Sequence, residues 1–169
     1  MPRCRDTLRP ALWLASLCVA LLAACGGRDD LPTLPADLGF QTLDQGRLAL
    51  TDIDGPVLVN FWSTDCVVCL REMPALVDLR QAYAPRGFEL IAVAMPDDRP
   101  DEVLELIRQR ALPFPVAIDI DGKVLAAFEP VAGTPTSFLV DRKGQIVSRH
   151  VGAIELPAFR ETLDALLPL

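Results

Sequence analysis

Histidine is all but missing from this chain: His150 is its one copy in 169 residues. Cys66 and Cys69 form the one Cys-x-x-Cys pair. A tetrahedral zinc site built on that pair would need a second set of ligands, and the sequence does not hold one. Positive charge is also scarce, with 16 Lys and Arg against 23 Asp and Glu and a formal net charge of −7. That balance argues against nucleic acid as a partner. There is no internal repeat, which excludes solenoids and propellers. The one uncharged apolar stretch of note, Ala11 to Ala24, is shorter than the about 20 residues a membrane-spanning helix needs.

What the N-terminus does hold is Arg3, Arg5 and Arg9 ahead of that stretch, the order of a signal peptide covering residues 1–24. It ends in Leu22-Ala23-Ala24-Cys25, which resembles a bacterial lipobox. The resemblance implies cleavage before Cys25 and lipidation of that cysteine, with Cys4 and Cys18 discarded; an ordinary secretory cleavage nearby is the alternative. Gly26 rather than Asp after the cysteine resembles the outer-membrane sorting choice of proteobacteria. Either cleavage exports the domain to the cell envelope, facing the periplasm. Losing residues 1–24 leaves 13 basic and 22 acidic side chains, a net charge of −9. Residues 25–37, polar and carrying Pro32 and Pro35, read as an extended tether with a reach on the order of 40 Å. Residues 38–169 have the length of one domain.

Within that domain, Phe40 to Leu43 and Arg47 to Leu50 alternate about Gly46 and predict a leading hairpin. Val57 to Trp62 is an apolar run fit for a buried strand, and Val67 to Tyr83 has helical periodicity, with a kink expected at Pro74. A strand over Phe88 to Ala94, a helix over Asp101 to Arg110 and a short strand over Val116 to Ile118 follow, a βαβαβ rhythm. Asp119 to Gly122 has Asp-x-Asp-Gly but none of the later ligands of a calcium loop, and reads as a turn. A short helix to Phe128, strands at Ser137 to Val140 and Ile146 to Val151 joined by an Asp141-Arg142-Lys143-Gly144 turn, and a helix over Leu156 to Leu167 complete the chain. The fold class is α/β.

Cys66 and Cys69 therefore fall at a strand-to-helix junction, where helix amides and the positive end of the dipole stabilise a thiolate. In an oxidising compartment such a pair closes to a disulfide, so it must either be fed electrons or act as an oxidant. The first-turn cysteine, Cys66, is the expected nucleophile. Cys69, one turn on and facing the domain body, is the expected resolving thiol. Glu72 lies three residues beyond Cys69, within reach for proton exchange, although spacing alone favours a solvated carboxylate on the helix face. Phe61 and Trp62 are expected in the core, and His150 in a structural or surface role.

Asn60-Phe61-Trp62, the Cys66/Cys69 pair, Glu72-Met73-Pro74 and Gly133-Thr134-Pro135-Thr136 together resemble the thioredoxin superfamily, and more narrowly its exported TlpA/ResA branch, over about Phe40 to Leu167. The resemblance implies a thioredoxin-like fold with an N-terminal β-hairpin and a central αβ insertion, here Asp101 to Ile118. It implies thiol:disulfide oxidoreductase activity needing no cofactor or metal beyond the redox-active disulfide Cys66–Cys69. It implies that Pro135 is a cis-proline against the cysteines, leaving the Thr134 backbone to pair with a substrate peptide, and that Glu72 is an active-site glutamate. Partners implied are disulfide-bearing envelope proteins such as apocytochrome c, a membrane thiol carrier of the CcdA/DsbD type as electron donor, and the membrane itself through Cys25. A monomer is expected. Asn60 stands where thioredoxins carry a buried aspartate, and an amide cannot titrate.

Two departures from the branch's pattern bear on redox poise. Asp65 stands where tryptophan is usual, and Val67-Val68 lacks the common proline. A carboxylate beside Cys66 disfavours its thiolate and makes the pair more reducing; alternatively Asp65 caps the helix. An oxidase or isomerase on this fold would need a strongly stabilised reduced state. A thiol peroxidase would resemble Pro-x-x-x-Thr-x-x-Cys, whereas Val59 and Ser63 precede Cys66 here. A copper carrier of the Sco type would use two cysteines with three residues between them and a distant histidine, whereas only two residues separate Cys66 and Cys69, and a cis-proline against the thiols would block a ligand position.

Overall fold

The computed structural model describes residues 31–43, 46–128 and 130–167. The expected signal peptide and Cys25 lie outside the described residues. Elements in chain order are β1 (Gly39–Thr42), β2 (Gly46–Ala49), β3 (Val57–Trp62), α1 (Val67–Tyr83), β4 (Glu89–Ala94), α2 (Pro100–Arg110), β5 (Val116–Ile118), α3 (Lys123–Ala127), β6 (Thr136–Val140), β7 (Ile146–Val151) and α4 (Leu156–Leu166). They build one seven-stranded sheet in the order β2-β1-β5-β4-β3-β6-β7. Strands β3, β4 and β5 run parallel, while β6 and β7 on one flank and β1 and β2 on the other pair antiparallel.

All six residues of β3 are buried, as expected of a central strand covered on both faces. Its alternation divides the core. Leu58 and Trp62 pack with Met73, Leu76 and Leu79 of α1, Val103 of α2, and Phe159 and Leu163 of α4. Val57, Val59 and Phe61 face the other layer, with Phe40, Val124, Phe128 and Phe138. There Phe61 meets Phe128 and Phe138 edge-on, at ring-centre distances of 5.3 and 6.0 Å. Phe61 and Trp62 are both fully buried, as expected, though on opposite faces. Helix α1 continues through Pro74 as a single element of 17 residues.

One expectation changes. The tether was read as extended through Asp37, but from Leu31 onward the chain is docked on the domain. Thr33 bridges Gln145, the Leu34 amide donates to the Gly144 carbonyl at 2.8 Å, and the Ile146 amide donates to Pro32 at 3.2 Å. Leu34 is only 4% exposed, and burial of Leu31, Leu34 and Leu38 against the second core layer outweighs the polar, proline-marked composition around them. The Asp119 to Gly122 turn is present as expected, closed by the Gly122 amide on the Asp119 carbonyl at 3.1 Å, and the buried Asp119 carboxylate in addition accepts from the Val124 and Leu125 amides of α3 at 3.0 and 2.7 Å. Both of its oxygens are thereby occupied, and no group of three or more ligand-type side chains able to hold a metal occurs among the described residues.

Candidate redox site

Parallel pairing of β3 and β4 brings their carboxyl ends together, and antiparallel pairing of β3 with β6 sets Phe61 beside Thr136. The segment after Trp62 and the residues just before β6 therefore meet at one end of the sheet. That end holds Cys66 and Cys69, joined as a disulfide, and Pro135, whose bond to Thr134 is cis. The hydroxyls of Ser63 and Thr134 lie 3.4 Å apart across the junction. Among the described residues the Thr134 amide and carbonyl have no backbone partner, whereas the neighbouring Pro135 carbonyl accepts from Gly152 at 2.8 Å.

The two sulfurs occupy different environments. Cys66 is the N-cap of α1, partly exposed, and its Sγ accepts from the Cys69 amide at 3.1 Å. Cys69 is 2% exposed and packs in the core layer with Trp62 and Met73. A thiolate on Cys66 would thus keep a helix-amide donor, while Cys69 is reached only from Cys66 or a group bonded to it. Because Cys66 itself is the cap, Asp65 is not: its carboxylate accepts from the Ser63 hydroxyl at 2.7 Å and stays exposed. Between the cysteines Val67 is 64% and Val68 40% exposed, an apolar surface where the branch pattern would place a proline.

Glu72 follows on α1. Its Oε1 accepts from the Ile154 amide at 2.7 Å, while Oε2 is buried with no hydrogen-bond partner. Burial pushes its carboxyl up from the ordinary value, and the Ile154 bond only partly opposes this. Asn60, buried at 2%, donates to the Ser137 hydroxyl at 2.8 Å. His150 sits opposite Ser137 in the strand register, half-buried with its ring edge-on to Phe159, and burial lowers its pKa. Beside the disulfide opens a cleft of about 380 Å3 lined by Ser63, Thr64, Asp65, Asp98, Glu102 and Thr134 among others. Asp98 was absent from the sequence expectations; nothing in its local pattern reveals that the loop after β4 would meet Thr64.

Residues 31–149 match the AhpC/TSA family. The chain belongs to that family, within the thioredoxin superfamily. It is 37% identical over 111 residues to a thiol-disulfide oxidoreductase ResA of Bacillus cereus, a match covering 65% of this chain and 63% of that protein. A ResA of Bacillus thuringiensis subsp. konkukian is 34% identical over 127 residues, with 75% of this chain and 72% of that protein covered. Among solved structures, a candidate thioredoxin of Neisseria meningitidis superposes with a TM-score of 0.73 at 30% identity, covering 81% of this chain and 91% of that one. A candidate thiol:disulfide interchange protein DsbE of Chlorobium tepidum gives 0.72 at 28%, covering 82% and 97%. The thioredoxin-like fold implied by the sequence motifs is the fold observed, hairpin and αβ insertion included.

Proposed function

We propose that this chain is an exported, lipid-anchored thiol:disulfide oxidoreductase that reduces disulfides in other proteins of the bacterial envelope. The observation that carries the reading is the asymmetric Cys66–Cys69 disulfide, one sulfur partly exposed at a helix N-cap and the other buried one turn on. In the reduced protein the Cys66 thiolate attacks a substrate disulfide, forming a mixed disulfide and expelling one substrate thiolate. Cys69, losing its proton to Glu72 or water, then displaces the second substrate sulfur and closes Cys66–Cys69. Two electrons pass to the substrate, whose disulfide becomes two thiols. A substrate strand is proposed to pair with the backbone of Thr134 beside Pro135, over the apolar surface of Val67 and Val68.

Lipidation at Cys25 would hold the domain at a membrane; among the described residues no helix is long and apolar enough to cross one. Electrons would come from a membrane thiol carrier of the CcdA/DsbD type, and apocytochrome c is the proposed substrate. The relatives named thiol-disulfide oxidoreductase and thiol:disulfide interchange protein support thiol–disulfide exchange as the chemistry. The test is the reduction potential of the pair in a soluble chain starting near Gly26 with Cys25 removed. A value well below about −180 mV supports a dedicated reductant, and one near about −120 mV makes the protein a disulfide donor instead.

A further inference from the structure

We propose that the inserted helix α2 is a two-ended brace for the redox segment, with Asp98 and Arg110 as positioning residues for thiol exchange. The proposal rests on the thiol-exchange reading of Cys66 and Cys69, but not on which way electrons flow.

At one end, Asp98 stands just ahead of α2, in the loop that parallel pairing brings beside the Cys66 segment. Its Oδ1 accepts from both the amide and the hydroxyl of Thr64, at 3.0 and 2.8 Å. At the other end the demand is created by Pro74. Lacking an N–H, Pro74 leaves the Leu70 carbonyl without its helical donor. Arg110, the last residue of α2, supplies one, with Nη1 2.8 Å from that carbonyl oxygen. Ala111 ends the helix there in the left-handed region, at φ 47°. The two grips bracket the dithiol: Thr64 lies shortly before Cys66, and Leu70 directly follows Cys69. Neither Asp98 nor Arg110 is in an ion pair among the described residues.

The brace matters when the cross-link opens. While the disulfide is closed, it ties the N-cap to the first turn of α1. Once Cys66 carries a substrate sulfur, that tie is gone, and Cys69 must still find the Cys66 sulfur at bonding range. The restraints that remain include the burial of Cys69, the bonds of the Cys66 amide to Ser63 and the Leu70 amide to Cys66, and the two grips from α2. A misplacement of about 1 Å can slow such an intramolecular step on the order of 100-fold.

The reduced protein is mixed with Ellman's disulfide, which forms a Cys66–thionitrobenzoate mixed disulfide and releases one thionitrobenzoate. Attack by the Cys69 thiolate on the Cys66 sulfur then releases the second and closes the protein disulfide, so resolution is read optically without a physiological substrate. For Asp98→Ala and Arg110→Ala, resolution is expected to slow about 10- to 100-fold. Alkylation of Cys66 by iodoacetamide, which needs no partner thiol, is expected to stay within about twofold on the same reasoning. Arg110→Lys, which keeps a donor for the Leu70 carbonyl, restores most of the rate. Thr64→Val, which removes one of the two Asp98 bonds, gives an intermediate slowing and serves where Asp98→Ala fails to fold. Wild-type resolution in folded Arg110→Ala and Thr64→Val proteins, with only a lower unfolding midpoint, overturns the proposal, as does a loss of alkylation equal to the loss of resolution. A failed reductant assignment shows separately, in the reduction potential.

Discussion

Replacing Glu72 with Gln tests the proton-transfer step. The side chain enters the protein with one oxygen bonded to the Ile154 amide and the other buried and unpartnered. Gln has the shape of the protonated carboxyl and keeps an oxygen for Ile154, so Glu72→Gln should fold normally. It cannot take up the Cys69 proton. General acid–base groups contribute about 100- to 10,000-fold; with water able to substitute at this partly exposed position, closure of the mixed disulfide should slow about 10- to 100-fold at neutral pH. The rate is followed by single-turnover release of a chromogenic thiol. Stability supplies a second reading whose sign is fixed. Burial raises the folded-state pKa above its ordinary value of 4.5, so the folded chain holds this proton more tightly than the unfolded chain. The favourable contribution is full below that ordinary value and is lost as pH rises through the folded-state pKa. Glu72→Gln lacks this dependence. Its stability relative to wild type should therefore climb as pH rises across the window from 4.5 upward. A flat difference from about pH 4 to 8, or an unchanged pH–rate profile, would refute the assignment.

Cys69→Ser should accumulate a stable mixed disulfide through Cys66, whereas Cys66→Ser should form none, because Cys69 is buried; mass spectrometry after incubation with a peptide disulfide distinguishes them. Asp65→Asn should make the pair less reducing, shifting its equilibrium with glutathione about two- to fivefold toward the dithiol, while an unchanged constant would leave Asp65 with only its Ser63 bond. Asp119→Ala removes both cap bonds of α3 and should cost about 1–3 kcal/mol in a denaturant titration, with little effect on thiol exchange.

Much of the site was legible in the chain because its parts are local. Cys66, Cys69 and Glu72 lie on one helical stretch, and a strand-to-helix junction can be read from the periodicity change between Trp62 and Val67. Pro135 was legible only through its resemblance to a motif, since its place beside the cysteines comes from the pairing of β3 with β6, more than 70 residues apart in sequence. The docked run from Leu31 was missed because Pro32 and Pro35 suggest extension, while the partners that hold it, Gly144 and Gln145, are remote. Arg110 was half visible: Pro74 announces an orphaned carbonyl, but nothing nearby names the donor.

The sequence by itself determined the chemistry, because a Cys-x-x-Cys at the start of a helix sets which sulfur is exposed and which is buried through helical spacing alone. It determined the class of fold too, through alternating strand and helix periods. The tertiary structure decided what surrounds those sulfurs: the cap role of Cys66 over Asp65, the buried free oxygen of Glu72 against Ile154, and the grips of Asp98 and Arg110. Each of these depends on sheet register and on the packing of helices onto it. Those are cooperative, long-range outcomes, and no local window of residues contains them.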